Sequence, residues 1–128
     1  MSQFTPLHPE NAAKPGAPYT PAIDCGNIIF FSGQVALTPD GGFINDSLDA
    51  ELTQVFKNID ALLGAGNLEK SNIAKVIIYL DDMNDYAKVN DGYAKYLGDI
   101  TPPARSCFEV AKLPLGARVE IEVVAVRG

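Results

Sequence analysis

The sequence predicts an α+β domain, and three observations carry that prediction. Strand-like and helix-like stretches alternate in the order strands, helix, strand, helix, two strands. Two stretches repeat their apolar residues at helical spacing, and each is followed by a β-branched or alternating run. A chain of 128 residues with 47% apolar and 20% charged residues has the size of one domain with one core, so residues 1–128 are read as a single domain.

The opening "MSQFTPLHPENAAKPGAPYTPA" is dense in Pro, Ala and Asn, which opposes regular helix and predicts an extended or turning arm lying on the domain. "IDCGNIIFFSGQVAL" holds two extended pieces about the "CGN" turn, and "TPDGG" supplies residues for another reversal before "FIN". From Glu51 to Leu63 the apolar residues Leu52, Val55, Phe56, Ile59, Leu62 and Leu63 recur in steps of three and four, predicting an amphipathic helix. Ser47 or Asp49 is its expected N-cap, and Gly64 its expected left-handed terminator.

"IAKVIIYL" is read as a central strand with both faces partly covered. Tyr86, Val89, Tyr93 and Leu97 then mark a second helix, with Asp82 or Asn84 as cap and Gly98 as stop. Gly92 inside it costs about 1 kcal/mol against alanine, so a packing reason is expected. "ARSCFEV" and "RVEIEVVAV" complete the set as strands, and both helices are expected on one sheet face. The other face is too apolar in part to be left in water, which predicts a homo-oligomer packing sheet on sheet.

The formal charge is −6 and the basic residues are scattered, so the footprint for binding phosphate backbones is absent and nucleic acid is an unlikely partner. Two cysteines in unlike contexts and no secretory leader fit a reducing, cytoplasmic setting. The longest apolar runs fall far below the ~20 residues that span a bilayer, so no membrane role is expected. One histidine, His8 in the arm, and no carboxylates at ligand spacing leave no metal site to read, and no cofactor motif is present. "GAGN" follows a helix rather than opening one, which fits helix termination better than phosphate binding.

Side chains alternate across a strand, so Arg105, Cys107 and Glu109 share one face, and Phe108 and Val110 share the other. The apolar pair is expected to face the core, putting Arg105 on the face away from the helices. A hairpin between the last two strands would then bring Arg105 to Glu120 or Glu122. The residues alone leave two readings of Arg105, a cross-strand ion pair or a planar fork that holds a small carboxylate. Glu120 is either an exposed strand residue or a group that polarises a water. Cys107 lacks an accompanying base and is read as lining a pocket or core rather than as a nucleophile. Ser32 and Gly33 mark a bulge or a close backbone approach. Tyr19 and Asn90 are, by default, solvated or packing residues.

Taken together, "PPARSCFEVAKLPLGARVEIEVVAV", "PYTPAI", "FFSGQVAL", "LTQVFKNIDALLGAGN" and "KVIIYLDDMNDYAKVNDGYAKYL" resemble the RidA/YjgF family of reactive-intermediate deaminases over nearly the whole chain. The resemblance implies a chorismate-mutase-like fold, a mixed and mostly antiparallel sheet with two helices on one face, assembled as a homotrimer with clefts between subunits. It implies hydrolysis of 2-iminobutanoate and 2-iminopropanoate, supplied as enamines by pyridoxal-phosphate enzymes, with no cofactor or metal. It assigns Arg105 to the substrate carboxylate and Glu120 to the hydrolytic water, with Tyr19, Ser32, Gly33, Asn90 and Cys107 lining the cleft. Thr20 and Pro21 stand where many relatives have Ser-Gln, and Leu115 where lysine is frequent, departures that bear on side-chain preference. A carboxylate-binding metabolic sensor without turnover is the alternative, and an endoribonuclease or translation inhibitor a weaker one that the acidic balance opposes.

Overall fold

The computed structural model describes residues 4–128. Its elements are β1 (Thr5–Leu7), β2 (Ala22–Asp24), β3 (Ile28–Gln34), α1 (Leu48–Ala65), β4 (Ile73–Leu80), α2 (Tyr86–Leu97), β5 (Ala104–Glu109) and β6 (Val119–Val126). One six-stranded sheet has the order β1-β2-β3-β6-β4-β5, antiparallel throughout except for the parallel pair β4 and β5. The architecture is the expected α+β arrangement. Residues 1–3 of the predicted arm lie outside the described residues; the next residues supply β1, which pairs with β2 at one sheet edge.

One sheet face and the helices enclose the core. Ile29, Phe31, Val76, Ile78, Leu80, Val119, Ile121 and Val123 point from the strands into it, and Leu52, Val55, Ile59, Leu62 and Val89 meet them from the helices. Full burial of each such side chain is worth about 1.5–3 kcal/mol, which makes this layer the main source of stability. Gly92 has the packing reason expected of it: a Cβ there would lie 3.1 Å from Leu52 Cδ1 of α1.

Ser47 caps α1 by accepting from the Ala50 N–H at 3.1 Å. The helix does not end at Gly64. It continues to Ala65, and the left-handed residue is Asn67 (φ 56°), whose short polar side chain tolerates that conformation. Asn67 N–H donates to Gly64 O at 3.0 Å and Leu68 N–H to Leu63 O at 2.8 Å, a Schellman ending that turns Leu68 into the core. Asp82 caps a short 3₁₀ turn ahead of α2, and Gly98 (φ 64°) follows the helix as expected.

Two expectations for the last strands are overturned. β5 and β6 do not form a hairpin, because β4 lies between them, pairing with β5 on one side and β6 on the other. The faces of β5 are also reversed. Arg105, Cys107 and Glu109 pair with Val76, Ile78 and Leu80 in parallel register and so lie on the helix side, whereas Phe108 is 52% exposed on the open side. The alternation was read correctly, but hydrophobicity misassigned the sides. Phe108, like Ile28, Phe30 and Val126, is an exposed apolar residue of the open sheet face, while at the sheet edge the helix-side covering of β5 is aromatic side chains of α2.

Candidate functional site

The sequence-predicted residues fall into two groups on opposite faces of the sheet. The first group surrounds Glu120 on the open face. Glu120 pairs across the ladder with Tyr79, and its neighbour Glu122 pairs with Ile77 and accepts from Tyr79 Oη at 3.0 Å. Burial pushes the Glu120 carboxyl above the usual glutamate range, and the charge of Glu122 pushes it further in the same direction. Among the described residues no cation pairs with it.

Gly33 is the close approach that the sequence left open. A Cβ on it would lie 2.8 Å from both Glu120 Cδ and Oε2, so only glycine allows the carboxylate to rest against this backbone. The bulge is present as well: the β3–β6 register shifts between Phe31 and Gln34. Ser32 Oγ donates to Thr20 O at 2.6 Å, and Ser32 N–H to Pro21 O at 2.9 Å, which tie the bulge to the arm carrying Tyr19.

Glu120, Gly33, Ser32 and Tyr19 therefore line one open cleft of about 730 Å³, together with Lys14 and the apolar Val35, Leu37, Phe43 and Leu115. Beneath it, Glu51 of α1 is 1% exposed and accepts from Arg118 N–H at 2.9 Å and Arg118 Nη1 at 2.6 Å. This buried pairing anchors the chain two residues before Glu120 and engages Arg118.

The second group surrounds Arg105. Its guanidinium carbon lies 5.1 Å from the ring centroid of Tyr93 and 5.6 Å from that of Tyr86, and Nη2 donates to Tyr86 Oη at 3.1 Å. Asn90 sits between these tyrosines in sequence, one helical turn from each, and its Oδ1 is buried without a hydrogen-bond partner. The Tyr93 hydroxyl is buried and unpartnered too. Both polar atoms belong to the helix that covers Arg105, and each left unsatisfied costs about 1–3 kcal/mol.

Cys107 follows Arg105 on the same face, and burial raises its thiol pKa against the opposing pull of the Arg105 charge. A thiol so raised is a poor nucleophile at neutral pH, which fits a lining role. Sequence reasoning missed the tyrosine platform. Tyr86 and Tyr93 were visible only as apolar positions of a helix, although their seven-residue spacing places both on one face.

Arg105 makes no ion pair with Glu120, Glu122 or any other carboxylate among the described residues. The chain has three arginines, and the other two, Arg118 and Arg127, are bound by Glu51 and Asp24. A separate depression of about 640 Å³ between α1 and α2 sets Lys57, Lys88 and Lys95 against Asp49, Asp60 and Asp91, a self-neutralising surface without a dominant charge. Among the described residues no three His, Cys, Asp or Glu side chains cluster as metal ligands, and no helix is long and apolar enough to cross a membrane.

Comparison with known proteins places this geometry in context. The family described as endoribonuclease L-PSP matches residues 9–127. A RutC family protein of Pyrococcus horikoshii is 42% identical over 117 residues, covering 91% of this chain and 92% of its own. The 2-iminobutanoate/2-iminopropanoate deaminase of Salmonella typhimurium is 37% identical over 120 residues, covering 92% and 94%. Among solved structures, yeast Mmf1 superposes with a TM-score of 0.92 at 38% identity, covering 98% of this chain and 99% of that one. TdcF of E. coli, solved with bound serine, gives a TM-score of 0.92 at 31% identity, covering 97% and 99%.

Proposed function

This chain belongs to the endoribonuclease L-PSP family, which includes the RidA and YjgF proteins, and from that premise we propose that it hydrolyses 2-imino acids such as 2-iminobutanoate and 2-iminopropanoate to 2-oxo acids and ammonia. The observation that carries this reading is Arg105, the one arginine without a carboxylate partner among the described residues, seated on two tyrosine rings. A planar guanidinium held in this way is suited to binding a carboxylate through two parallel hydrogen bonds. Serine, the ligand bound to TdcF, is itself a small amino carboxylate.

Arg105 fixes the substrate carboxylate, and a water held by Glu120 attacks the imine carbon. That carbon is already electrophilic, so positioning and one proton acceptor supply most of what the reaction needs. Glu120 takes a proton from the water as the C–O bond forms, giving a tetrahedral carbinolamine. Glu120 returns that proton to the nitrogen, then takes the carbinolamine hydroxyl proton as the C=O bond forms and delivers it to the nitrogen as the C–N bond breaks. One imine and one water thus give one 2-oxo acid and one ammonia, and Glu120 ends as it began. Its raised pKa makes it a stronger base than an ordinary carboxylate.

Arg105 and Glu120 of one chain cannot serve the same substrate. They lie two strands apart, roughly 10 Å, and point to opposite faces of the sheet. The proposed site is therefore completed by a second copy, with the β5 and α2 edge of one protomer set against the open face of the next. A head-to-tail contact of this kind closes into a ring, and a homotrimer gives three equal clefts. The exposed Ile28, Phe30, Phe108 and Val126 support burial of that open face.

The test is to add the protein to threonine dehydratase and threonine, a pyridoxal-phosphate reaction that releases the enamine, and to time the appearance of 2-oxobutanoate. Substoichiometric protein is expected to accelerate it. Binding of 2-oxobutanoate without acceleration would instead assign the cleft to a carboxylate sensor, and equal acceleration by Arg105→Ala would remove the deaminase reading. In the same assay Gly33→Ala is expected to lower turnover about 10–100-fold, the scale of a misplacement near 1 Å. The displaced atoms are the end of a flexible side chain, so thermal unfolding should shift by only a few degrees; unchanged turnover would separate Gly33 from the Glu120 carboxylate.

A further inference from the structure

Glu51 is a buried charge that the proposed reaction does not use. It stands in the first turn of α1, where the helix N-terminus favours an acid, yet Asp49 of the same turn is exposed while Glu51 is only 1% exposed. A buried ion pair gains little stability over an apolar pair of the same volume, so stability alone does not explain a carboxylate at this position. What distinguishes Glu51 is what its two oxygens hold. Oε1 accepts from the backbone N–H of Arg118 at 2.9 Å, and Oε2 from the guanidinium at 2.6 Å.

Arg118 immediately precedes β6 and is tied on its other sides as well. Its carbonyl accepts from the Asp81 N–H at 3.2 Å, just past the end of β4, and its Nη1 donates to Asn45 O at 3.5 Å in the segment leading to α1. Glu120 comes two residues later. On the β3 side the ladder is interrupted between Phe31 and Gln34, and the Glu120 carboxylate rests against Gly33, where a Cβ would lie 2.8 Å from it. On the β4 side Glu120 and Val119 pair with Tyr79 and Leu80, the last pairs of that ladder, and the bond from Arg118 N–H to Glu51 closes it at the end where a strand frays. A small slide of β6 along its own axis would move the carboxylate off its seat on Gly33.

Resting on the deaminase reading, we propose that Glu51 is a positioning residue: by holding the Arg118 N–H it fixes the start of β6 and thereby the place of the Glu120 carboxylate against Gly33. The bond to the guanidinium neutralises the buried charge, and the bond to the N–H sets the strand.

The experiment compares Glu51→Gln with Glu51→Met in the full-length protein, on 2-iminobutanoate generated in place from 2-aminobutanoate by a flavin amino-acid oxidase, with catalase to remove peroxide. The two side chains are close in length and volume and both remove the charge, but only the amide oxygen of the first can accept the Arg118 N–H. The Arg118 side chain is 39% exposed and can turn to solvent in either variant. Both variants are expected to lose thermal stability. Glu51→Gln is expected to keep kcat within about threefold of the parent and Glu51→Met to lower it about tenfold or more, since a misplacement near 1 Å can cost about 10²-fold. KM should move less than kcat in Glu51→Met, because Arg105 of the second copy, which binds the carboxylate, does not depend on the start of β6. Assays run well below both thermal midpoints, and Arg118→Leu added to both variants supplies an apolar neighbour should Glu51→Met not fold. A parent-like kcat in Glu51→Met, or equal losses in the two variants, would overturn the positioning role and leave the deaminase reading standing. Failure of the parent to accelerate the reaction would remove the deaminase reading and this role with it.

Discussion

Arg105→Lys is expected to lower kcat/KM for 2-imino acid hydrolysis by about 10–100-fold while leaving the fold intact. Lysine keeps the positive charge, but it is a point donor that cannot reproduce the two parallel hydrogen bonds of a guanidinium. Losing one hydrogen bond to a charged group is worth about 1.5–3 kcal/mol, which corresponds to that range. The platform adds to the loss, since the flat guanidinium lies over the Tyr86 and Tyr93 rings and an ammonium presents no plane to them. Stability should change little, because Arg105 has no carboxylate partner to be left buried and unpaired. Steady-state kinetics with circular dichroism decides the point: kinetics near those of the parent would show that charge alone suffices and would withdraw the receptor role.

Glu120→Gln is expected to reduce kcat by about 10²-fold or more, the low end of what positioned acid–base catalysis contributes. KM should move less, because glutamine keeps the shape against Gly33 but cannot accept a proton from water. A loss confined to KM would make Glu120 a binding group instead. In the parent, kcat/KM should fall as pH drops through the Glu120 pKa, and burial and Glu122 set that inflection above the usual carboxylate range. An inflection that persists unchanged in Glu120→Gln would belong to another group.

Stability carries the same titration with a definite sign. The folded state holds the Glu120 proton more tightly than the unfolded chain does, so this residue's contribution to stability declines as pH rises through its folded pKa. Glu120→Gln should therefore be at least as stable as the parent at pH 8, with the difference narrowing toward pH 4. Denaturation midpoints at the two pH values measure it, and a variant destabilised most at high pH would contradict the assigned cause.

Local signals made most of the secondary structure legible. The stagger of Leu52, Val55, Phe56, Ile59 and Leu62 reports a helix packed on one side, and Ser47 marks where its free amides begin. Gly64 misled because glycine is permitted in a left-handed position but not required there; Asn67 took it once Leu68 found a place in the core. The choice between those two ends rests on burial of a residue four positions later, which no local pattern records.

Arg105 shows the same limit at the level of the sheet. Alternation along "ARSCFE" grouped Arg105 with Cys107 and separated both from Phe108, and that grouping holds in the structure. Which group faces the helices depends on strand order, because β5 lies at an edge, joined in parallel to β4, with α2 above it. Hydrophobicity pointed Phe108 inward, yet an unpartnered sheet face also accommodates apolar residues. The chain-long resemblance singles out Arg105 and Glu120 but says nothing about their sides. Tertiary structure placed them on opposite faces, with Tyr19, Ser32 and Gly33 beside one, and Asn90 and Cys107 on elements flanking the other. Periods of two and of three to four residues are properties of a backbone and can be read from a chain alone; the pairing of distant strands depends on contacts between them, and that pairing decided on which face of the sheet each of these side chains stands.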